Sequence, residues 1–243
     1  MHFGTISISI VILLSSIISS TIGFAFAPIA GVLLLNLPIE KTKIIEIILV
    51  ASISVQSYSI VYLSAHIPYR RLAYFLAGGM VTMPIGVTLL LTLDASKYKI
   101  IIGVWLVLYS LYALFVPQIK IARTSRIADV MVGTLGGITG PLAAFPGAFI
   151  VIWCNLQDLD PSEQRAIYQP YILAMQLMTL AGLFVLGEPA LIQLDDGIFA
   201  LQGLAGAMIG LRIFTRLKTR TFRTAVNTFL LVSGLSMAVT TLC

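Results

Sequence analysis

Two short stretches of this chain hold the residues best suited to chemistry inside an apolar protein. Gly-Gly-Ile-Thr-Gly-Pro-Leu-Ala-Ala-Phe-Pro-Gly (136–147) contains Thr139, Gly140, Pro146 and Gly147, and an earlier break runs from Gly23 to Pro28. No regular helix can pass through the later stretch, because Pro141 and Pro146 each lack a donor and clash one turn back. Unwound backbone inside a bilayer survives only where protein buries it or water reaches it. Its free N–H groups, with the helix N-terminus beyond Pro146, form a compact anion site that carries no fixed charge. The same residues also suit a glycine-rich packing surface with a proline kink.

The breaks belong to a longer duplication. Pro28 and the apolar run to Asn36 recur as Pro146 and the run to Asn155, Gln56 recurs as Gln176, and Ile85-Gly86 recurs as Ile209-Gly210. The offset grows from 118 to 124, as loop insertions would produce. Fixed-order repeats in an apolar chain suggest two bundles with a site between them, the usual build of a secondary transporter. The second helix of each copy adds polar candidates. Ser52, Ser54, Gln56, Ser57 and Tyr58 lie in one, and Gln169, Tyr171 and Gln176 in the other. Amides and hydroxyls in lipid need partners, so ligand contact and interhelical bonding both fit them. Arg165 is the basic residue nearest a span in the second copy. It fits recruitment of an anion at a pore mouth, or a plain headgroup contact.

The elements that must position these residues follow from composition. The 243 residues are 58% hydrophobic and only 10% charged, with a mean hydropathy of +1.01. That excludes a soluble globular domain. No Asp, Glu, Lys or Arg occurs in 3–39, 47–69, 72–93, 100–119, 130–157, 166–187, 197–211 or 224–243. About 20 apolar residues in a helix cross a hydrocarbon core of roughly 30 Å. The reading is a single all-α polytopic membrane domain over 1–243, with about eight transmembrane segments in two homologous four-segment repeats (3–117 and 128–243). Helices are expected at about 5–35, 44–65, 71–93, 98–117, 128–153, 165–187, 196–216 and 221–242.

The first run is too long for one crossing, and both 3–39 and 130–157 carry breaks. Each could turn back as a re-entrant hairpin at the start of its repeat, and three full crossings per half would then invert the halves. Lys and Arg divide ten against five between the two sides if every segment crosses, and eleven against four if the two runs turn back. Either count puts the richer side in the cytoplasm and both termini outside, in the inner membrane. Charge alone does not choose between parallel and inverted copies; inversion is the expectation. The net charge of +5 sits in loops and reports topology, not nucleic-acid binding.

Several chemistries are excluded. Ala25-Phe26-Ala27 resembles a cleavage site, but Met1 to Gly4 lacks a basic start and Pro28 would follow the cut. Cys154 and Cys243, far apart and without CxxC, suggest neither disulfide nor metal. His2 and His66 sit at segment edges, and neither HExxH nor GxSxG occurs, so an intramembrane enzyme is not expected. Glu46 lies close to a helix start, and Glu188, Asp195 and Asp196 fall in one loop, so no mid-membrane proton or sodium relay is expected. Trp105 and Trp153 read as interface or packing aromatics.

The stretch GGITGPLAAFPGAFIVIWCNLQDLDPSEQRAIYQPYILAMQ (136–176) resembles the second Gly-rich motif and following helix of the TauE/SafE family of sulfite exporters. LAGAMIGLRIFTRLKTRTFRTAVNTFLLVSGL (204–235) resembles that family's ending. The first motif, TIGFAFAPIAGVLLL (21–35), keeps Gly23 and Pro28 but lacks the glycine triplet often found there. The resemblance implies export of small sulfur-containing anions such as sulfite or sulfoacetate; no cofactor or metal is expected. By position, Gly23–Pro28 and Thr139–Gly147 would line the path. The expected partners are that anion and the lipid bilayer, with a homodimer left open. A non-transporting scaffold or accessory subunit, or an importer of an unrelated metabolite, remains the alternative.

Overall fold

A computed structural model describes residues 2–35, 37–63, 67–115, 125–143, 145–157, 159–186, 196–214 and 219–242. Expectations on Asn36, His66, Glu188, Asp195, Cys243 and most of the central basic connection fall outside them. Ten helices are present among the described residues: α1 (His2–Ile22), α2 (Phe26–Leu34), α3 (Lys41–Leu63), α4 (Tyr69–Thr92), α5 (Ala95–Phe115), α6 (Arg126–Ala143), α7 (Ala148–Asn155), α8 (Pro161–Leu186), α9 (Gly197–Phe214) and α10 (Thr219–Leu242). By length and apolar composition, Thr42–Tyr62, Tyr69–Thr92, Ser96–Phe115 and Pro161–Leu186 suffice to cross a membrane; Ile6–Ile22, Gly197–Ile213 and Val226–Val239 are shorter apolar helices. The single helices expected over 5–35 and 128–153 are each two helices. The breaks fall at Gly23–Ala25 and at Phe145–Gly147, whereas Pro141, expected to interrupt the second helix, is accommodated inside α6.

Contacts between helices fix their directions. Lys43 near the start of α3 bonds Asp196 just before α9, and further along Gly203 of α9 presses on Ala51 of α3. These two helices therefore run side by side in the same sense, away from what we term the Lys43 end. The first helix follows them, since Leu13 and Ser16 of α1 meet Gly206 and Ile17 and Thr21 meet Gly210. Yet α3 begins at the Lys43 end only a few residues after α2 closes. The chain must return to that end between them, so α2 doubles back.

The second run reverses too, as direct bonds show. Arg71 at the start of α4 pairs with Asp129 at the start of α6, and Gly78 and Gly86 of α4 press successively on Val130 and then Ile138 of α6. Trp153, near the end of α7, donates from Nε1 to the same Asp129 at 2.7 Å. Gln157 then accepts from Arg71 Nη2 at 2.8 Å. What leaves the Arg71 end as α6 comes back to it as α7. Small residues make these contacts possible: Gly133 and Gly137 of α6 leave no room for a Cβ against Phe75 and Gly79 of α4. Thr82 reinforces the crossing by donating to the Thr134 carbonyl at 2.7 Å.

The remaining helices alternate. Gly103 of α5 meets Gly234 and Ala238 of α10 while Leu106 and Val107 meet Gly234, an antiparallel pair. At its exposed start, α5 is capped by Asp94, whose Oδ1 accepts from the Lys97 amide at 2.8 Å. That backbone bond, with the Lys97 ammonium beside it, holds the Asp94 carboxyl below its ordinary range. Buried apolar side chains form two clusters, one around α2, α3 and α5, the other around the breaks, α7 and α8.

Candidate functional site

The first break is made by backbone conformation. Gly23 N donates to Ser19 O at 2.6 Å, closing α1, and Gly23 then adopts φ +102° and Ala25 φ +74°. An alanine in the left-handed region costs about 1–2 kcal/mol, which the surrounding packing must offset. The first turn of α2 follows with no side-chain cap on its amides. Arg165 of α8 lies against this break, completely buried. Its Nη1 donates to Ser20 O at 3.3 Å and its Nη2 to Thr21 O at 3.2 Å. A Cβ on Gly23 would lie 2.6 Å from Arg165 Nε and 2.5 Å from the Tyr168 hydroxyl. The headgroup contact expected of Arg165 is thereby corrected. Its guanidinium is held by carbonyls at the negative end of α1, where no solvent or lipid reaches it.

The second break is made by fit. Pro146 lies in a notch left by Gly136 and Gly140, where a Cβ would come within 2.7 Å of Pro146 O and 3.0 Å of Pro146 Cβ respectively. Gly147 packs on Ile172 of α8 and, as N-cap of α7, offers no side-chain cap to the free amides. The Thr139 hydroxyl donates at 3.0 Å to Leu135 O within its own helix.

The two breaks meet. Tyr109 of α5 stands edge-on to Phe24 of the first at 6.0 Å and to Phe145 of the second at 5.5 Å. Ala27 and Pro28, in the first turn of α2, share a pocket with Phe145, Ile48, Ile102 and Trp105. Because both short helices double back, each aims a bare N-terminus at the interior from opposite directions. Each such end is worth about half a positive charge. The pocket walls are otherwise apolar apart from Tyr98, and the Trp105 Nε1 donor, buried there, has no hydrogen-bond partner among the described residues.

On α8, one buried face carries Arg165, Tyr168, Gln169, Ile172, Gln176 and Thr179. Gln176 Nε2 donates to Ser52 Oγ of α3 at 2.7 Å, and Gln56 is one turn beyond Ser52. Gln56, Gln169 and Gln176 are all buried, and each keeps an Oε1 without a partner among the described residues. Gln176 and Ser52 therefore join α8 to α3, whereas Tyr171 of α8 donates to Gly133 O of α6 at 2.9 Å; α8 is also the helix that touches both breaks. Sequence reading missed Tyr109 and Tyr168, which carry no spacing signal. It read Trp153 as an interface or packing aromatic, and its indole N–H also helps to hold α7 against α6.

A helical, membrane-suited chain with paired breaks and opposed helix N-termini at its centre has the build of a membrane transport protein for anions. The family described as "Sulfite exporter TauE/SafE" matches residues 8–237, nearly the whole chain, and the protein belongs to that family. No curated protein and no solved structure matches it.

Proposed function

We propose that the protein exports small sulfur-containing anions, sulfite or organosulfonates such as sulfoacetate, across the inner membrane by alternating access. Residues 3–117 and 128–243 act as two repeats of inverted topology, each a doubled-back pair followed by three crossing helices. The two rock about the breaks, while lipid surrounds the outer helices. The Arg71 end carries most of the loop Lys and Arg and faces the cytoplasm; the Lys43 end and both termini face outward.

The observation that carries the reading is the meeting of the two breaks at one pocket, lined by Ala27 and Pro28 from the first turn of α2 and by Phe145 of the second break. Desolvating a small anion is expensive, and oriented amides offset that cost in a low-dielectric site without holding the ion so tightly that it cannot leave. Gly23, Pro28, Thr139, Gly140, Pro146 and Gly147 shape the backbone. Gln56, Gln169 and Gln176 supply neutral contacts, and Arg165 supplies the positive potential. Counterflow of labelled sulfite, sulfoacetate, thiosulfate and sulfate in proteoliposomes tests this. The wild type should exchange at least one of them, and Gly140→Leu with Pro146→Leu should abolish exchange. Undiminished flux in the folded double variant would sink the proposal.

A further inference from the structure

A second cluster of ionisable groups lies away from the breaks. At the Lys43 end, Lys43 Nζ donates to Asp196 Oδ2 at 2.7 Å and stands 3.2 Å from Glu46 Oε2. The Glu46 side chain is 1% exposed and that of Asp196 6%. Two buried carboxylates thus share one ammonium. Neither oxygen of Glu46 accepts a directed hydrogen bond among the described residues.

No other helix packed on α3 relieves the imbalance. The described side chains of α1 and α2 include no Asp, Glu, Lys, Arg or His. Those of α8 include only Glu163 and Arg165, at its opposite end, and α9 adds only Arg212, also far along its helix. Among the described side chains, then, the cluster holds two carboxylates and one ammonium. A metal cation would face the Lys43 ammonium a few ångströms away with few oxygens to hold it, whereas a proton on Glu46 simply removes the surplus charge.

We infer that Glu46, with Lys43 and Asp196, is a proton-binding site that couples anion export to inward proton movement. The inference rests on the transport reading above. Hydronium at the outer end gives a proton to a Glu46 oxygen, forming one O–H bond and leaving water. When the repeats have rocked to the inward-facing state, that O–H bond breaks and the proton passes to water on the cytoplasmic side. With Glu46 charged, Lys43 is divided between two carboxylates. With Glu46 protonated, Lys43 belongs to Asp196 and ties α3 to α9, one helix from each half. Ile45 and Ile48, beside Glu46 in the chain, line the pocket that reaches Pro28 and Phe145, so a shift of this turn is felt at the anion site.

The test uses the full chain in proteoliposomes, with the anion that gives counterflow as probe. In the wild type, a pH difference of one unit should drive accumulation on the acidic side, up to about tenfold for one proton per anion. Glu46→Gln should retain counterflow and lose that accumulation. Asp196→Asn should also keep counterflow while accumulation falls several-fold. Independently of transport, the infrared band of a protonated carboxyl should titrate in the wild type and be missing from Glu46→Gln. Counterflow without any response to a pH gradient, or accumulation that survives Glu46→Gln, overturns the coupling while leaving the transport reading intact. Absence of wild-type counterflow defeats both.

Discussion

The two breaks do the same job by different means. The first is held by strained backbone and a buried cation: Gly23 and Ala25 in the left-handed region, and Arg165 on the carbonyls of Ser20 and Thr21. The second is held by shape. Pro146 fills a glycine notch, and the returning chain is tied down where Trp153 donates to Asp129 and Arg71 donates to Gln157. The difference bears on electrostatics. Every helix break presents a negative C-terminus as well as a positive N-terminus, and the two nearly cancel. At the first break Arg165 neutralises the carbonyl end, leaving the α2 amides to act alone. At the second the carbonyls of α6 have no comparable cation among the described residues. The two sides of the candidate site are therefore unequal, with the stronger positive potential beside Gly23.

The sharpest way to break this comparison is Gly23→Ala. The new side chain combines an unfavourable φ with overlap of Tyr168 and Arg165, and strain and overpacking together should cost about 3 kcal/mol or more. Gly140→Ala meets only the Pro146 ring at 3.0 Å and should cost much less. Melting followed by tryptophan fluorescence in detergent would rank the two; equal losses would show that the first break is no more strained than the second. Next in size is Arg165→Gln. It removes two charge-assisted bonds and should destabilise by about 2–3 kcal/mol, with exchange falling at least about tenfold if the guanidinium supplies the positive potential. Arg165→Lys should recover part of the exchange, because charge returns without the fork. A folded Arg165→Gln protein with normal exchange would make the arginine a purely structural clamp.

Much of this was legible from residue types. Gly23 and Pro146 mark the two interruptions, whereas Pro28 falls in the first turn of α2 and Pro141 inside α6, so proline alone does not locate a break. The direction after each break was not legible, because parallel and inverted arrangements place comparable charge asymmetry in the loops. It is set by partners distant in sequence, such as Lys43 with Asp196 and Trp153 with Asp129. The burial of Arg165 was hidden for a similar reason. Its partners are backbone carbonyls of Ser20 and Thr21, and a carbonyl has no residue type to read. Glu46 does lie close to the start of α3, as its position suggests, but its side chain is 1% exposed, which position alone does not reveal.

The smallest effect should come from Trp153→Phe, and it probes the second break alone. Asp129 Oδ1 accepts from Trp153 Nε1 at 2.7 Å and from Arg71 Nη2 at 3.0 Å, while Oδ2 accepts from Arg71 Nε at 2.9 Å. Loss of the indole donor leaves the carboxylate paired through both oxygens, so no buried charge is stranded. The cost should be about 1 kcal/mol, that of one hydrogen bond, seen as a small fall in melting temperature. Exchange should stay near wild type, because the Gly136–Gly140 notch still seats Pro146 and aims the α7 N-terminus. Loss of exchange without loss of stability would reverse the assignment. The tether at the Arg71 end, and not the fit of Pro146, would then set where α7 points, and both breaks would depend on an arginine.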